Sequence, residues 1–308
     1  MSRLRDYLQL CRFPAVFTAM ADIILGYLLV HVSLAPTREF GLLLAASSCL
    51  YLAGMVFNDV FDRKIDAVER PKRPIPSGRI PLTSAAVFGS TLLIVGVAAA
   101  ACVGAKSLTV ALLLVACIFA YDGLLKNTPV GPVFMGGCRF LNVVLGASSA
   151  GLRWTAPWQL PHVFIAAALG IYVVGVTWFA RREAERSSRT GLIAATVVIN
   201  LGLGLLLFLS YGVGSRYLSW NGAPEARMSS LLLLGIVAVM INRRAIAGIS
   251  NPSPQLVQAA IKVMLLSIIT LDATLIFAKL GSDGIVFAGA TVLLLLPSLA
   301  IGRWLYMT

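Results

Sequence analysis

The chain is predicted to be an all-α polytopic membrane protein, on three observations. It is 58% hydrophobic and only 12% charged, whereas about a quarter of the residues of an average soluble domain are charged. Its mean hydropathy is +0.88. Apolar runs of the length that crosses a hydrocarbon core of about 30 Å recur from end to end. No stretch between them is long enough to fold alone, so residues 1–308 are predicted to form one transmembrane domain.

Ten apolar segments are expected to form membrane helices. They lie at residues 14–32, 40–57, 82–103, 107–121, 132–150, 162–180, 190–211, 229–248, 256–278 and 284–304. The residues before the first segment are few and polar, and that segment lacks a small-residue cleavage pattern. We therefore expect no cleavable signal peptide.

The basic residues predict the orientation of the chain in the lipid bilayer. The net charge is +12, with 25 Lys and Arg. If the N-terminus is cytoplasmic, most of them fall in loops at the cytoplasmic face, as the positive-inside rule expects. These loops explain the positive charge without nucleic acid as a partner, and no obligatory protein partner is evident. We predict a multi-pass protein of the inner or cell membrane, with the N-terminus and the loop 58–81 in the cytoplasm.

An acidic stretch follows the second apolar run directly. If the helix continues to Glu69, Asp59, Asp62 and Asp66 lie at i, i+3 and i+7, on one face. Three carboxylates on one face repel each other unless a cation lies among them. Mg²⁺ is suited to this role, because it takes few carboxylates, keeps waters and shares substrate phosphates. We therefore expect these three aspartates to bind Mg²⁺, the alternative being a solvated loop between two membrane helices.

A basic cluster accompanies the carboxylates and is suited to bind a phosphate group. Its members are Arg63, Arg70, Lys72, Arg73 and Arg79. The segment 67–81 also contains several prolines, so it cannot form a long helix. We expect it to fold its basic residues back over the carboxylates. Carboxylates and arginines together at a membrane surface indicate a metal-bound diphosphate on a lipid-like substrate.

Two acids lie within apolar runs, Asp22 and Asp272. An ionisable group in a membrane is costly and is by default a functional-site hypothesis. Asp22, deep in the first helix, is expected to line a cavity and to contact a polar acceptor, together with Asn142. The alternatives are a neutral, hydrogen-bonded packing residue for each acid and an interhelical hydrogen bond for Asn142.

The acidic stretch carries a family resemblance. The pattern NDxxDxxxD at 58–66, followed by RPxRPIPSGRI at 70–80, closely resembles the first Asp-rich motif of the UbiA superfamily of intramembrane prenyltransferases. Tyr121 to Lys126 resembles its YxxxxK element, and Arg12-Phe13-Pro14 resembles its opening Arg-x-Pro. The sequences FTAMADxxLGYLL and TWFARREAE resemble the EboC-type branch of this superfamily.

The resemblance extends over residues 5 to 280 and implies a fold. It implies a bundle of nine transmembrane helices around a central cavity, which binds an allylic diphosphate through Mg²⁺ and opens sideways to lipid. Residues 283–308 would then form an additional C-terminal helix. Gly136, Arg139, Asn142 and Gly146 resemble residues of the fifth helix of the family.

The second Asp-rich motif of the family has no match here. The corresponding stretch, FARREAERSSRTG at 179–191, contains no aspartate. Its only carboxylates, Glu183 and Glu185, are two residues apart and cannot face one side of a helix. We expect Arg181 and Arg182 to bind diphosphate oxygens directly. The alternatives are that one glutamate still binds metal, that catalysis is lost, or that the loop is only a positive-inside anchor.

Prenyl transfer requires ionisation of an allylic C–O bond, and the motif residues suit this chemistry. Mg²⁺ on the three aspartates would stabilise the leaving diphosphate, with charge-assisted contacts from Lys126 and the basic cluster. Asn58 would orient a phosphate oxygen or a metal-bound water. Tyr121 either shields the allylic cation or is an interfacial aromatic. Asp122 either accepts a proton from the acceptor or pairs with Lys126.

The sequence therefore predicts Mg²⁺-dependent transfer of a prenyl group from a polyprenyl diphosphate to a small acceptor, aromatic or polyol-like, within the membrane. Two other interpretations stay open. One is transfer of a sugar phosphate from its diphosphate to a lipid phosphate. The other is a non-catalytic carrier of prenyl lipids, although transport favours helices broken near the midplane and the Pro and Gly residues cluster at helix ends.

Overall fold

The computed structural model describes residues 3–150, 161–181, 183, 186–211 and 224–305. Throughout these ranges the regular elements are helices and no strand occurs. The α-helices are α1 Arg3–Leu10, α2 Val16–Val30, α3 Thr37–Glu69, α4 Leu82–Val103, α5 Ala105–Ala120, α6 Gly131–Ala147, α7 Pro161–Ala180, α8 Arg189–Tyr211, α9 Pro224–Ser250, α10 Pro254–Leu280, α11 Ile285–Leu293 and α12 Leu295–Leu305. The predicted all-α polytopic fold is confirmed.

The membrane spans agree with the predicted segments. Eight helical segments of the described residues are long and apolar enough to cross a membrane, and Gly131–Ala147 is a shorter apolar helix. The last of the eight, Pro254–Leu305, combines the ninth and tenth predicted segments. The helices pack around α2, α6, α7 and α10, which supply much of the buried apolar core.

Helix α3 carries the second apolar run and the acidic stretch without interruption. Its 33 residues extend about 50 Å at 1.5 Å per residue, which exceeds the hydrocarbon thickness of a bilayer. The C-terminal turns, which bear the aspartates, therefore project beyond the apolar zone. The helix ends at Glu69, because Arg70 precedes Pro71 and is pushed out of the helical region, with φ at −137°.

Two glycines bring the backbones of α2 and α6 into contact. A Cβ on Gly26 would lie 2.1 Å from the carbonyl oxygen of Val143, and one on Gly146 would lie 2.7 Å from that of Ile23. Small residues allow such close crossings in membrane bundles. The crossing places Asp22, one turn before Gly26, next to the polar residues of α6.

The C-terminal segment differs from the single helix expected at 284–304. It consists of α11 and α12, with a break at Leu294. The break precedes Pro297, whose ring would clash with the carbonyl of Leu293 in a continuous α-helix. The segment after the break returns to the start of the chain, where Ser298 Oγ donates to Pro14 O at 2.8 Å.

The two termini and the acidic end of α3 lie at the same end of the bundle. Arg5 Nη2 donates to Trp304 O at 3.2 Å, and the Arg5 guanidinium stacks over the Trp304 ring, 5.7 Å from its centroid. The ion pair between Asp6 and Arg79 joins α1 to the loop after α3. This arrangement agrees with the predicted topology, and the assignment of this end to the cytoplasm stays a prediction.

Substituting Gly26 tests the α2–α6 contact. We expect Gly26→Ala to destabilise the protein by about 1–3 kcal/mol or more, because the new methyl group overlaps a backbone carbonyl that cannot move aside. Gly204→Ala is the matched control, since nothing lies within 4 Å of a Cβ at that helical glycine. The measurement is thermal unfolding of both variants in detergent. Equal midpoints would contradict the close crossing.

Candidate functional site

Arg73 lies over the acidic face of α3. Its Nη1 donates to Asp59 Oδ1 at 3.1 Å and to Asp66 Oδ2 at 2.5 Å. As a result, both carboxylates are buried, with 3% of each residue exposed. The proline-rich loop thus folds a basic residue back over the carboxylates, as the sequence predicts. Two acids that would otherwise face solvent are held against a guanidinium.

The third aspartate has a different cation. Asp62 pairs with Lys126 Nζ, which follows a π-helical turn, Tyr121–Leu125. In this turn the Lys126 N–H donates to Tyr121 O at 2.9 Å. This i→i+5 bond accounts for the spacing of the Tyr and Lys, and such turns are frequent at functional sites. Tyr121 itself is buried, with 9% exposed.

Asn58 connects the acidic end of α3 to the π-helical turn. Its Nδ2 donates to Asp122 Oδ1 at 2.6 Å, and its Oδ1 accepts from Arg12 Nη2 at 3.1 Å. Asp122 is thus hydrogen-bonded to Asn58, whereas the cation that the sequence offered as its partner, Lys126, binds Asp62. Because the amide of Asn58 is held on both sides, its orientation fixes that of the Asp122 carboxylate.

Arg12 is a site residue to which the motif analysis assigned no role, although it stands in the Arg-x-Pro element. It adopts the left-handed conformation, with φ at 46°, which costs a non-glycine residue roughly 1–2 kcal/mol. This turn between α1 and α2 directs its Nη2 to Asp59 Oδ1 at 3.1 Å. Burial lowers the pKa of Arg12, but Asp59 raises it, and the net pKa lies above its ordinary value. The available signal was a cation placed directly before an apolar run.

Three other predicted phosphate-binding residues lie outside this group of ion pairs. Arg79 pairs with Asp6 and donates to the carbonyl of Lys72 at 2.7 Å. Lys72 and Arg63 have exposed side chains, and Arg63 Nη1 donates to Val60 O at 3.0 Å. They lie around the acidic end of α3, further from its aspartates than Arg73.

The second loop reaches the first one. Arg70 Nη2 lies 3.4 Å from Glu183 Oε1, so the residue that stands in the missing second motif pairs with the basic cluster. Arg181 Nη2 donates to Asn127 O at 2.9 Å, next to Lys126. Arg182 lies outside the described residues.

The aspartates form no closed metal cage. Across the described ranges, no group of three or more His, Cys, Asp or Glu side chains is close enough to hold a metal ion. The backbones of Asp59 and Asp66 are two turns, about 10 Å, apart, and Arg73 Nη1 lies between their carboxylates. Mg²⁺ is usually bound by one or two carboxylates, with waters and substrate phosphates completing its octahedron. The three aspartates therefore fit as partial ligands that a diphosphate would complete.

A second polar group lies inside the bundle, and we call Asp22, Arg139 and Asp272 the inner charge cluster. Arg139 of α6 pairs with Asp22 of α2 and donates to Thr18 O at 3.1 Å and Thr18 Oγ1 at 3.2 Å. Asn142 Nδ2 donates to Asp22 Oδ2 at 2.8 Å. The two predicted acceptor residues are thus adjacent, and Arg139, to which the sequence assigned no role, pairs with one of them, Asp22.

Tyr51 links the two polar groups. It precedes Asn58 by seven residues on α3, which places it on the same face about 10 Å further into the bundle. Its hydroxyl is within electrostatic range of both Arg139 and Arg12. All three side chains are surrounded by protein and yet keep accessible surface, 36% for Arg12 and 11% for Arg139. Accessible surface on side chains that lie within the bundle indicates that they line its central cavity.

Curated relatives named digeranylgeranylglyceryl phosphate synthase share part of the sequence. The one from Methanopyrus kandleri is 33% identical over 156 residues, which are 49% of this chain and 57% of that protein. The one from Sulfolobus acidocaldarius is 26% identical over 220 residues, 67% of this chain and 77% of that protein. This chain spans about half the length of several such relatives, for example 52% of the one from Methanoculleus marisnigri.

Solved structures share the fold. One, described as a digeranylgeranylglyceryl phosphate synthase in membranes, gives a TM-score of 0.64 at 20% identity and covers 91% of this chain and 99% of its own. A UbiA homolog from Archaeoglobus fulgidus bound to GPP and Mg²⁺ gives 0.59 at 16% identity, over 88% of this chain and 99% of its own. At these identities the likeness shows the fold, and it confirms the UbiA-like bundle.

The sequence pattern of the UbiA prenyltransferase family matches residues 19–269. This range begins in α2 and ends within α10. It contains the acidic end of α3, the π-helical turn and Arg139, whereas α11 and α12 lie beyond it. The EboC-type branch stays a prediction. Because the match extends over most of the chain and the fold agrees with it, this protein belongs to the UbiA prenyltransferase family.

Proposed function

We propose that this prenyltransferase moves a prenyl group from an allylic polyprenyl diphosphate to a small acceptor, aromatic or polyol-like, with Mg²⁺ as cofactor. One observation carries the proposal: carboxylates and cations are interleaved at the mouth of an internal cavity. The cations are Arg12, Arg73 and Lys126, and each already contacts an aspartate of α3. A metal diphosphate can exchange these pairs, so that cations contact phosphate oxygens and carboxylates contact the metal.

The choice of Mg²⁺ rests on the donor set and on relatives. Asp59, Asp62 and Asp66 would hold it, and hard carboxylate oxygens are ligands that Mg²⁺ prefers. When bound, the ion would offset negative charge on the leaving diphosphate. Archaeoglobus fulgidus homologs bound to GPP or DMAPP together with Mg²⁺ support this choice.

The chain's own cations take part in the ionisation step. As the allylic C–O bond breaks, its electron pair stays on the diphosphate oxygen, and positive charge develops on the allylic carbon. Arg12 and Arg73 present planar forks of N–H donors that match phosphate oxygens, and Lys126 adds a compact charge. These groups stabilise the leaving diphosphate, while the ring of Tyr121 shields the allylic cation.

In this proposal, Asp122 accepts the proton of the acceptor. Its carboxylate is oriented by the 2.6 Å hydrogen bond from Asn58. The nucleophilic atom of the acceptor forms the new bond to the allylic carbon, and its proton passes to Asp122. The proton that Asp122 gains balances the additional negative charge that the diphosphate acquires when the C–O bond breaks.

The remaining predicted phosphate-binding residues have a supporting role in this proposal. They are Arg63, Arg70, Lys72, Arg79, Arg181 and Arg182. Those with described side chains lie around the acidic end of α3 or face solvent. We propose that they form an outer basic surface that attracts the anionic head group, while Arg12, Arg73 and Lys126 bind it directly.

Asp59→Asn tests the metal-binding role. We expect it to reduce Mg²⁺-dependent diphosphate release by about 100-fold or more, because it removes a charged ligand and keeps the side-chain shape. The assay supplies geranyl, farnesyl or geranylgeranyl diphosphate to protein in lipid nanodiscs, with a cell extract as the source of acceptor. The matched control is Glu69→Gln, an exposed acid at the end of the same helix, which should remain active. Wild-type activity in Asp59→Asn would contradict the assignment, and binding without release in the wild type would indicate a carrier.

Asp122→Asn separates catalysis from binding. We expect kcat to fall by about 100-fold or more, because a general base contributes this much, while affinity for the diphosphate stays unchanged. The measurements are single-turnover rates and titration with the Mg²⁺-diphosphate complex. An unchanged rate would show that another group accepts the proton.

Arg12→Ala and Lys72→Ala distinguish direct contact from general attraction. We expect Arg12→Ala to raise KM for the diphosphate by about tenfold or more, the value of one lost charge-assisted hydrogen bond. Lys72→Ala, at an exposed residue, should have a smaller effect that disappears at high salt, because exposed charges are screened. KM measured at low and high ionic strength checks both. Equal and equally salt-sensitive effects would remove Arg12 from direct contact.

A further inference from the structure

The inner charge cluster contains one cation and two acids at a position where each charge must be compensated. Asp22 and Asp272 are fully buried, with 0% exposed. They lie on α2 and α10, and Arg139 approaches from α6. Arg139 is the only one of the three with accessible side-chain surface, 11%. The acids therefore stand behind the guanidinium as seen from the cavity.

Asp22 neutralises the charge of Arg139. The two side chains form an ion pair inside the bundle, and Asn142 Nδ2 donates to the same carboxylate at 2.8 Å. In the described part of the chain, neither oxygen of Asp272 receives an N–H or O–H donor, so this second acid offers no charged partner of its own to a bound molecule. The guanidinium therefore already has a counter-ion before any acceptor arrives.

Arg139 is held so that its free edge faces the cavity. Its bonds to Asp22 and Thr18 use three of the five N–H donors of the guanidinium. Asn142 supports Asp22 from the same helix as Arg139. The accessible edge of Arg139 and the hydroxyl of Tyr51 then present hydrogen-bonding groups to a molecule in the cavity, about two helical turns below Asn58.

A lone arginine in a cavity is a binding site for phosphate or carboxylate. Here the guanidinium of Arg139 already binds a carboxylate, that of Asp22. An anionic head group would meet a guanidinium whose charge is neutralised by Asp22, and it would be repelled by the Asp22 carboxylate behind it. The desolvation of such a group inside the bundle would have no compensating charge. A neutral molecule pays no such penalty, and its hydroxyl oxygens can accept the remaining N–H donors.

We propose that the acceptor is a neutral, hydroxyl-rich molecule, which Arg139 and Tyr51 bind at the inner charge cluster, and that Asp22 excludes phosphorylated and carboxylated acceptors. This inference rests on the proposed prenyl transfer and deepens it. In the reaction, the C–O bond of the allylic diphosphate breaks, and an acceptor hydroxyl oxygen bonds to the allylic carbon. The hydroxyl proton passes to Asp122, diphosphate leaves, and the product is a prenyl ether.

A fractionated extract tests the charge of the acceptor without knowing its identity. A small-molecule extract of the source cells is passed over a quaternary-ammonium resin at neutral pH. The flow-through and the salt eluate are then supplied separately to wild-type protein with Mg²⁺ and geranylgeranyl diphosphate. We expect the flow-through to support diphosphate release and to yield a prenylated product by mass spectrometry. Activity confined to the eluate overturns this inference and leaves the proposed transfer standing, whereas release with neither fraction overturns both.

Variants of the cluster test the role of Asp22 with a defined pair of acceptors, a 1-O-alkylglycerol and its phosphate monoester. The double variant Asp22→Asn/Asp272→Asn removes both acids and leaves Arg139 with an uncompensated charge, so the ratio of kcat/KM values should shift by about tenfold toward the phosphate, the value of one charge-assisted hydrogen bond. Asp272→Asn alone is the matched control, because Asp22 keeps its charge beside Arg139 and the ratio should not change. An unchanged ratio in the double variant, or equal shifts in both variants, overturns the inference. If the double variant does not fold, the fractionation with wild-type protein decides alone.

Discussion

The charge balance at the acidic end of α3 is the constraint on which the rest of the site depends. This helix carries three aspartates beyond the apolar zone, and two of them are buried. An unpaired buried carboxylate costs several kcal/mol, so each acid requires a cation. The cations come from three separate segments: Arg12 precedes α2, Arg73 lies in the loop after α3, and Lys126 follows α5. Pairing with α3 therefore holds these segments together around the mouth of the cavity.

The requirement that a buried charge be paired also applies to the inner charge cluster. Inside the bundle there is little water to solvate a charge, and Arg139 is stabilised because Asp22 lies beside it. The contact is possible because Gly26 and Gly146 let α2 and α6 approach to backbone distance. In both groups, a buried charge is held by a partner from another segment of the chain.

The sequence predicts the features that depend on local periodicity, and it does not predict those that depend on approach in three dimensions. The continuation of α3 through the aspartates and the folding back of the proline-rich loop follow from helical spacing and proline chemistry. The partners of Arg12 and Arg139 lie 47 and 117 residues away, and no local pattern identifies them. The preference of Lys126 for Asp62 over Asp122 depends on the π-helical turn, which alters the direction of both side chains. The break at Leu294 was foreseeable from Pro297, although composition alone favours one helix.

The interleaved ion pairs also bear on how the substrate binds. A diphosphate that arrives without a metal must draw Arg12 and Arg73 away from Asp59 and Asp66, and it leaves two buried carboxylates without a cation. A metal that arrives alone must compete with guanidinium groups that are already bound. If both arrive together, as the proposed function requires, each released partner would find a new one, with the carboxylates on the metal and the arginines on the phosphate oxygens. The proposed site would therefore link the binding of metal and of diphosphate, and by reciprocity each would raise the affinity of the site for the other. Each aspartate of α3 already has a cation. Such a site thus favours a diphosphate that arrives together with a metal ion.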